Sequence, residues 1–256
     1  MCDSGSDGHK GTQPPARKPR LSIVVPIHDE VDSLESLHRE IMAAVGEIEG
    51  GLEVLLVDDG SRDGSLEGIR KLAALDTRVR ALSLGAHCGQ SSALEAGFDA
   101  SRGEILATLD GDLQNDPGDL PRLLEALDDA DVVNGVRSQR RDGWLRGFSS
   151  RIANAFRNAL TRESVTDVGC SIRVIRSGFA RGLPLYRGMH RFLPTLMRLR
   201  GARVIELPVS HRPRRFGRSK YGVGNRLFVG LLDTLAVCWI QKRFVAYSAE
   251  EFETRE

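Results

Sequence analysis

This 256-residue chain has no C-x-x-C pair, no glycine-rich phosphate loop and no apolar run of the roughly 20 residues that a bilayer-spanning helix needs. Its four cysteines, Cys2, Cys88, Cys170 and Cys238, lie far apart. That spacing excludes a structural zinc site and fits free thiols in a reducing compartment. Neither G-x-G-x-x-G nor a Walker loop occurs, so a bound nucleotide would not rest on a phosphate cradle of glycines. Aromatic residues make up only 5% of the chain. Residues 1–20 are polar and lack the apolar centre of a secretory signal, so they read as a disordered lead-in to a cytoplasmic protein.

What is present is uneven. The net charge is only +1, yet residues 21–136 carry 8 Lys/Arg against 24 Asp/Glu, and residues 137–226 carry 21 against 4. The halves differ in sign, which predicts that the basic half meets an anion. The competing reading is a dipolar surface that pairs with itself.

The hydrophobic pattern alternates. Buried strands are predicted at 21–27, from 52 to the polar turn after 57, at 79–84, 104–110 and 130–137. Between them, helices are predicted over 29–48, 66–75, 90–101 and 117–127, the first from Leu34, Leu37, Ile41 and Val45 at helical spacing. This order implies an α/β domain with a mainly parallel sheet, whose ligands bind outside the carboxyl ends of the strands. Further on, helices at 148–160 and 188–201 and strands at 167–175 and 202–214 follow. Leu227 to Ile240 is the most apolar segment and contains Asp233; it is either a buried helix or one lying in a membrane interface.

Three predicted strands end in polar clusters: Pro26 to Glu30, Asp58-Asp59-Gly60-Ser61 and Asp110-Gly111-Asp112. All three fall on one sheet edge. If the backbone stays extended, Asp110 and Asp112 point the same way and can share one hard cation, Mg²⁺ or Mn²⁺. A calcium loop is excluded, because Asn115 and Pro121 stand where it requires Gly and Glu. The plainer alternative is a turn whose Asp and Asn side chains cap the next helix, a role that suits Asp116 before Pro117. Ser61 or Asp63 can likewise cap a helix, while one aspartate of the Asp58-Asp59 pair can accept hydrogen bonds from a nucleoside. The loop Arg212 to Lys220 is rich in arginine, with Phe216 and Tyr221 its only neighbouring aromatics. It suits phosphate better than nucleic acid.

The segments "VVPIHDE", "LVDDGS", "LDGDLQNDP", "GVR", "DVGCSIRVI" and "RRFGRSKYG" occur in the order seen in family-2 glycosyltransferases of the GT-A fold. The chain most resembles the branch of dolichol-phosphate mannose synthase and its bacterial polyprenyl-phosphate relatives, over about residues 21–241. The resemblance implies a GT-A domain at 21–222, an amphipathic or membrane-interface helix at 223–245 and a polar tail at 246–256. It implies donor contacts at Pro26, His28, Glu30, Val57, Asp59, Asp110 and Gly111, and metal contacts at Asp110, Asp112 and Gln114. It implies catalytic roles for Asp112, Arg137, Arg214 and Lys220, and acceptor-phosphate contacts at Arg146, Ser150 and Ser219. The implied reaction is inverting transfer of a hexose from a nucleotide sugar, GDP-mannose first and a UDP-hexose second, to a polyprenyl phosphate. The enzyme would be peripheral on the inner face of a membrane, with a separate membrane protein as a plausible partner and no nucleic acid.

The chemistry of the residues fits that reaction. A phosphomonoester is already ionised near neutral pH, its second pKa being about 6, so the nucleophile needs no general base. The enzyme must instead hold two anions against each other, which explains the charge split. Rival readings fare worse. Processive polysaccharide synthases carry Q-x-x-R-W, which neither Trp144 nor Trp239 completes. Sugar nucleotidyltransferases carry an N-terminal G-x-G-T-R stretch, absent here. A non-enzymatic anion binder leaves the acidic strand ends without a purpose.

Overall fold

The computed structural model describes residues 18–137, 160, 165–213 and 226–246. Its centre is a seven-stranded sheet. The strands are β1 (Leu21–Ile27), β2 (Leu52–Asp58), β3 (Val79–Ser83), β4 (Ile105–Thr108), β5 (Val132–Arg137), β6 (Arg173–Arg176) and β7 (Val204–Val209), in the order β3-β2-β1-β4-β6-β5-β7. Neighbours pair in parallel except β6, which runs antiparallel to both β4 and β5. The expected mainly parallel α/β sheet is what forms.

Helices cover both faces, which is why the central strands are continuous apolar runs rather than alternating ones. On one face α1 (Leu34–Val45), α2 (Ser65–Leu75) and α4 (Leu120–Glu125) bury Leu37, Ile41, Ile69 and Leu123 against Ile23, Val25 and Leu56. On the other, α3 (Gln90–Ala100) and α5 (Leu193–Leu199) bury Phe98, Leu193 and Met197 against Val24, Leu55 and Leu106. Asp116 caps the 3₁₀ turn that leads into α4, its carboxylate accepting the Gly118 N–H at 2.9 Å.

Three predicted strands are shorter than expected. The strand predicted over 104–110 stops at Thr108, and the one over 202–214 stops at Val209. That over 167–175 begins only at Arg173, because the Asp167 carboxylate accepts the Gly169 N–H and folds residues 167–170 into a turn. The helix predicted over 188–201 divides into a 3₁₀ turn, Met189–Phe192, and α5. The helix predicted over 148–160 lies outside the described residues apart from Leu160.

The last helix, α6 (Arg226–Arg243), is half docked. Thr234 and Val237 are buried, and Asp233 packs on Gly188, whose φ of 86° leaves no room for a Cβ: one would lie 2.4 Å from Asp233 Oδ2. Its outward side carries Leu231, Leu232, Leu235 and Trp239, each at least 39% exposed. No helix among the described residues is long and apolar enough to cross a membrane.

Candidate active site

A cavity of about 460 Å³ opens at the carboxyl ends of β1, β2 and β4. The three polar clusters read from the sequence do converge there. Pro26, His28 and Glu30 follow β1, Asp59 follows β2, and Asp110, Gly111, Asp112 and Gln114 follow β4. The opposite wall comes from the basic half: Arg137 at the end of β5, the 168–171 turn, Arg173 on β6, and His190 with Arg191. Val57 does not line the cavity; it is fully buried in the core beneath α3. Arg146, Ser150, Arg214, Ser219 and Lys220 lie outside the described residues.

Asp59 shapes its end of the cavity by anchoring a loop. Its carboxylate accepts the backbone N–H groups of Cys88 and Gly89 at 2.7 to 3.0 Å, and lies 2.9 Å from His87 Nδ1. His28 Nδ1 donates to the Asp59 carbonyl at 2.8 Å. The His28 and His87 rings stack, centroids 4.1 Å apart, and make an aromatic wall. Asp58 faces inward, accepting the Ser61 N–H, and holds the turn.

The Asp110-Gly111-Asp112 segment is a turn and not an extended strand end, which corrects the geometry expected for the paired carboxylates. Leu113, buried at φ 61°, reverses the chain. Asn115 Oδ1 accepts the Asp110 N–H at 3.2 Å and the Ser171 hydroxyl at 2.7 Å. Ser33, wholly buried, donates to the Gly111 carbonyl at 2.6 Å. A Cβ at Gly111 would lie 2.6 Å from Ile27 Cδ1, so the turn sits directly on β1. Gln90, at the start of α3, donates to Asp110 Oδ1 at 2.8 Å. Gln114 donates its backbone N–H to Asp112 Oδ1.

Burial, then the nearby Asp112 charge, push the Asp110 carboxyl up to about 6, against the pull of Arg173 and Arg137. Two carboxylates that repel in a partly dry cleft are a donor set for a hard cation. Asp110 and Asp112 would hold Mg²⁺ or Mn²⁺, with Gln114 beside them. His28, Asp59 and His87 also bring ligand atoms within 4.8 Å of one another. Their atoms are already committed to each other and to the 87–89 loop, so that group reads as scaffold rather than metal site.

On the basic wall, Arg137 is clamped in a fork by Asp167, at 2.7 and 2.8 Å. Arg173 is only 2% exposed and donates to Asn134 Oδ1 at 2.7 Å. Burial lowers its pKa, and the Asp110 and Asp167 charges support its ionised form. Ser33, Gln90, Asn115, Asp167, Ser171 and His190 were not singled out in the sequence; their partners lie 5 to 99 residues away and leave no local pattern.

Comparisons with known proteins agree with this architecture. Residues 22–183 match the family described as glycosyl transferase family 2. The chain is 39% identical over 220 residues to the undecaprenyl-phosphate 4-deoxy-4-formamido-L-arabinose transferase of Edwardsiella ictaluri, covering 85% of this chain and 67% of the relative. It is 36% identical over 239 residues to the dodecaprenyl-phosphate galacturonate synthase of Rhizobium johnstonii, covering 91% and 70%. In fold it is similar to glucosyl-3-phosphoglycerate synthase of Mycobacterium tuberculosis solved with Mn²⁺, UDP and phosphoglyceric acid. There the TM-score is 0.67 at 21% identity, covering 86% of this chain and 78% of that one. It is also similar to a mannosyltransferase of Pyrobaculum calidifontis solved with GDP-Man and Mn²⁺, with a TM-score of 0.61 at 19% identity, covering 92% and 67%.

Proposed function

Because the chain belongs to glycosyltransferase family 2, we propose that it transfers a sugar from a nucleotide-diphosphate donor to a polyprenyl phosphate, with inversion at the anomeric carbon. One observation carries the choice of acceptor. Among the described residues, the wall supplied by the basic half contributes Arg137, Arg173 and Arg191 to the cavity and no carboxylate. A sugar hydroxyl acceptor needs a general base there; an ionised phosphate does not.

The residues divide the work. Pro26, His28 and Glu30, with the loop held by Asp59, receive the nucleoside. Asp110, Gly111 and Asp112 face the diphosphate. A divalent cation on these carboxylates would supply Lewis-acid stabilisation to the leaving nucleoside diphosphate. Arg137, preorganised by Asp167, pulls the acceptor phosphate toward the anomeric carbon, and the resemblance adds Arg146, Ser150, Arg214, Ser219 and Lys220 to that task. A single displacement inverts the anomeric centre, so an α-linked donor gives a β-linked lipid-phosphate sugar. The relatives named above act on formamido-arabinose and galacturonate. A modified pentose or a uronic acid therefore stands ahead of the mannose that the resemblance first suggested.

The outward face of α6, with Leu231, Leu232, Leu235 and Trp239 exposed and Lys242 and Arg243 at its end, rests on the inner face of the membrane that holds the acceptor. A membrane protein partner there would extend the same contact. The test is incubation with polyprenyl phosphate and a panel of labelled sugar nucleotides. Label entering the organic phase supports the reading. Label passing only to water, or to a free sugar hydroxyl, refutes it.

A further inference from the structure

His190 stands in the cavity wall with no role so far. Its Nδ1 lies 2.9 Å from the Ser91 hydroxyl, and its backbone N–H donates to the same oxygen at 3.3 Å. Ser91 is 2% exposed, and its hydroxyl has no other partner among the described residues. A serine hydroxyl carries one proton. Oγ accepts from the backbone, and giving its proton to Nδ1, the acceptor within reach, is the arrangement that leaves this buried hydroxyl donor paired. The neutral imidazole then carries its own proton on Nε2. No described residue bonds that nitrogen, and it is not among the polar atoms sealed from solvent. His190 lines the cavity, so Nε2 is the imidazole atom left to meet a ligand there.

Position gives this donor its object. Gln90 and Ser91 are neighbours in the first turn of α3; one holds Asp110 and the other holds His190. The nucleoside end is occupied by His28 and His87, and the diphosphate end by the Asp110 to Asp112 turn. Leu94 and His190 line the same cavity, linked to Asp110 through the first turn of α3, and offer a wall for the transferred sugar. We propose that His190 is a sugar-binding residue, its Nε2–H donating to a hydroxyl, ring or carboxyl oxygen of the donor sugar while Asp110 accepts from a sugar hydroxyl. This rests on the donor reading above. Neutrality is built in: burial, then the charges of Arg191 and Arg173, push the imidazole down to about 3. A neutral donor orients a sugar without competing for the diphosphate.

The full chain, labelled with ¹⁵N-histidine, tests the tautomer. The resonance lost in His190→Gln should show a neutral imidazole protonated at Nε2 across the neutral range, and Ser91→Ala should release that preference. Titration calorimetry tests the contact, pairing UDP with UDP-glucose and UDP-galacturonate, and GDP with GDP-mannose. For the pair that wild type binds, His190→Phe should weaken the sugar nucleotide roughly tenfold, one hydrogen bond's worth, and leave the free nucleotide within about twofold. His190→Gln, which keeps a neutral donor, should recover most of the loss. Equal weakening of nucleotide and sugar nucleotide, no weakening of either, or an imidazole protonated at Nδ1 overturns the proposal. Failure of wild type to bind any of the nucleotides overturns the donor reading instead.

Discussion

Asp110→Asn is the most informative single change in the acidic turn. The Asp110 carboxyl is raised from 3.8 to about 6, by burial first and by Asp112 second. A carboxyl raised on folding binds a proton in the native state that the unfolded chain has already lost. Stability contributed by this group therefore falls as pH rises from about 4 to about 6, and the cost is complete above that. A rise of that size costs on the order of 3 kcal/mol. Asparagine removes the charge yet keeps an oxygen for the Gln90 amide. Urea unfolding followed by circular dichroism, in EDTA, should show Asp110→Asn more stable than wild type by about 2–3 kcal/mol near pH 7.5, with the two converging as the pH falls to about 4. Adding Mn²⁺ should stabilise wild type and leave the variant almost unmoved. Parallel wild-type and variant curves across that range would refute the reasoning, because the carboxylate would then carry no unrelieved charge.

Ser33→Ala strands the buried Gly111 carbonyl and should cost about 1–3 kcal/mol in thermal unfolding, with sugar transfer falling as the turn loosens. Gly188→Ala forces a Cβ onto Asp233 at a left-handed φ; it should destabilise the chain by about 1–3 kcal/mol and alter Trp239 fluorescence as α6 shifts. Replacing Leu232, Leu235 and Trp239 by serine should cut binding to anionic vesicles by about 100-fold or more, since each side chain forfeits about 1 kcal/mol or more of burial. Free-nucleotide binding should not change.

The strands were legible because the central sheet is covered on both sides, so β1, β2 and β4 are apolar runs that stop abruptly at the ligand edge. Those stops pointed to Asp59, Asp110 and Asp112, which line the cavity. The path of the backbone through Asp110 to Asp112 was not legible. It is decided by Leu113 at positive φ, Asn115 beneath it and Ser33 from another element, none of which the alternation of hydrophobic residues reports. The supports of the basic wall were hidden for the same reason: Arg137 meets Asp167, and Ser91 meets His190, only after β5, β6 and α3 pack. For α6 the sequence allowed a core helix or an interfacial one. In the structure one side is docked, with Val237 buried, and the other faces outward, with Trp239 exposed.

In the proposed reaction the Asp110 to Asp112 turn and the arginines opposite pass a sugar to a lipid phosphate. The direct measurement is transfer of labelled sugar to polyprenyl phosphate by wild type and by Asp112→Ala, each with Mn²⁺ or EDTA. Wild type with metal should produce an organic-soluble sugar phosphate, and the variant or EDTA should lower the rate by about 100-fold or more. Undiminished transfer by Asp112→Ala in the presence of metal would contradict the account.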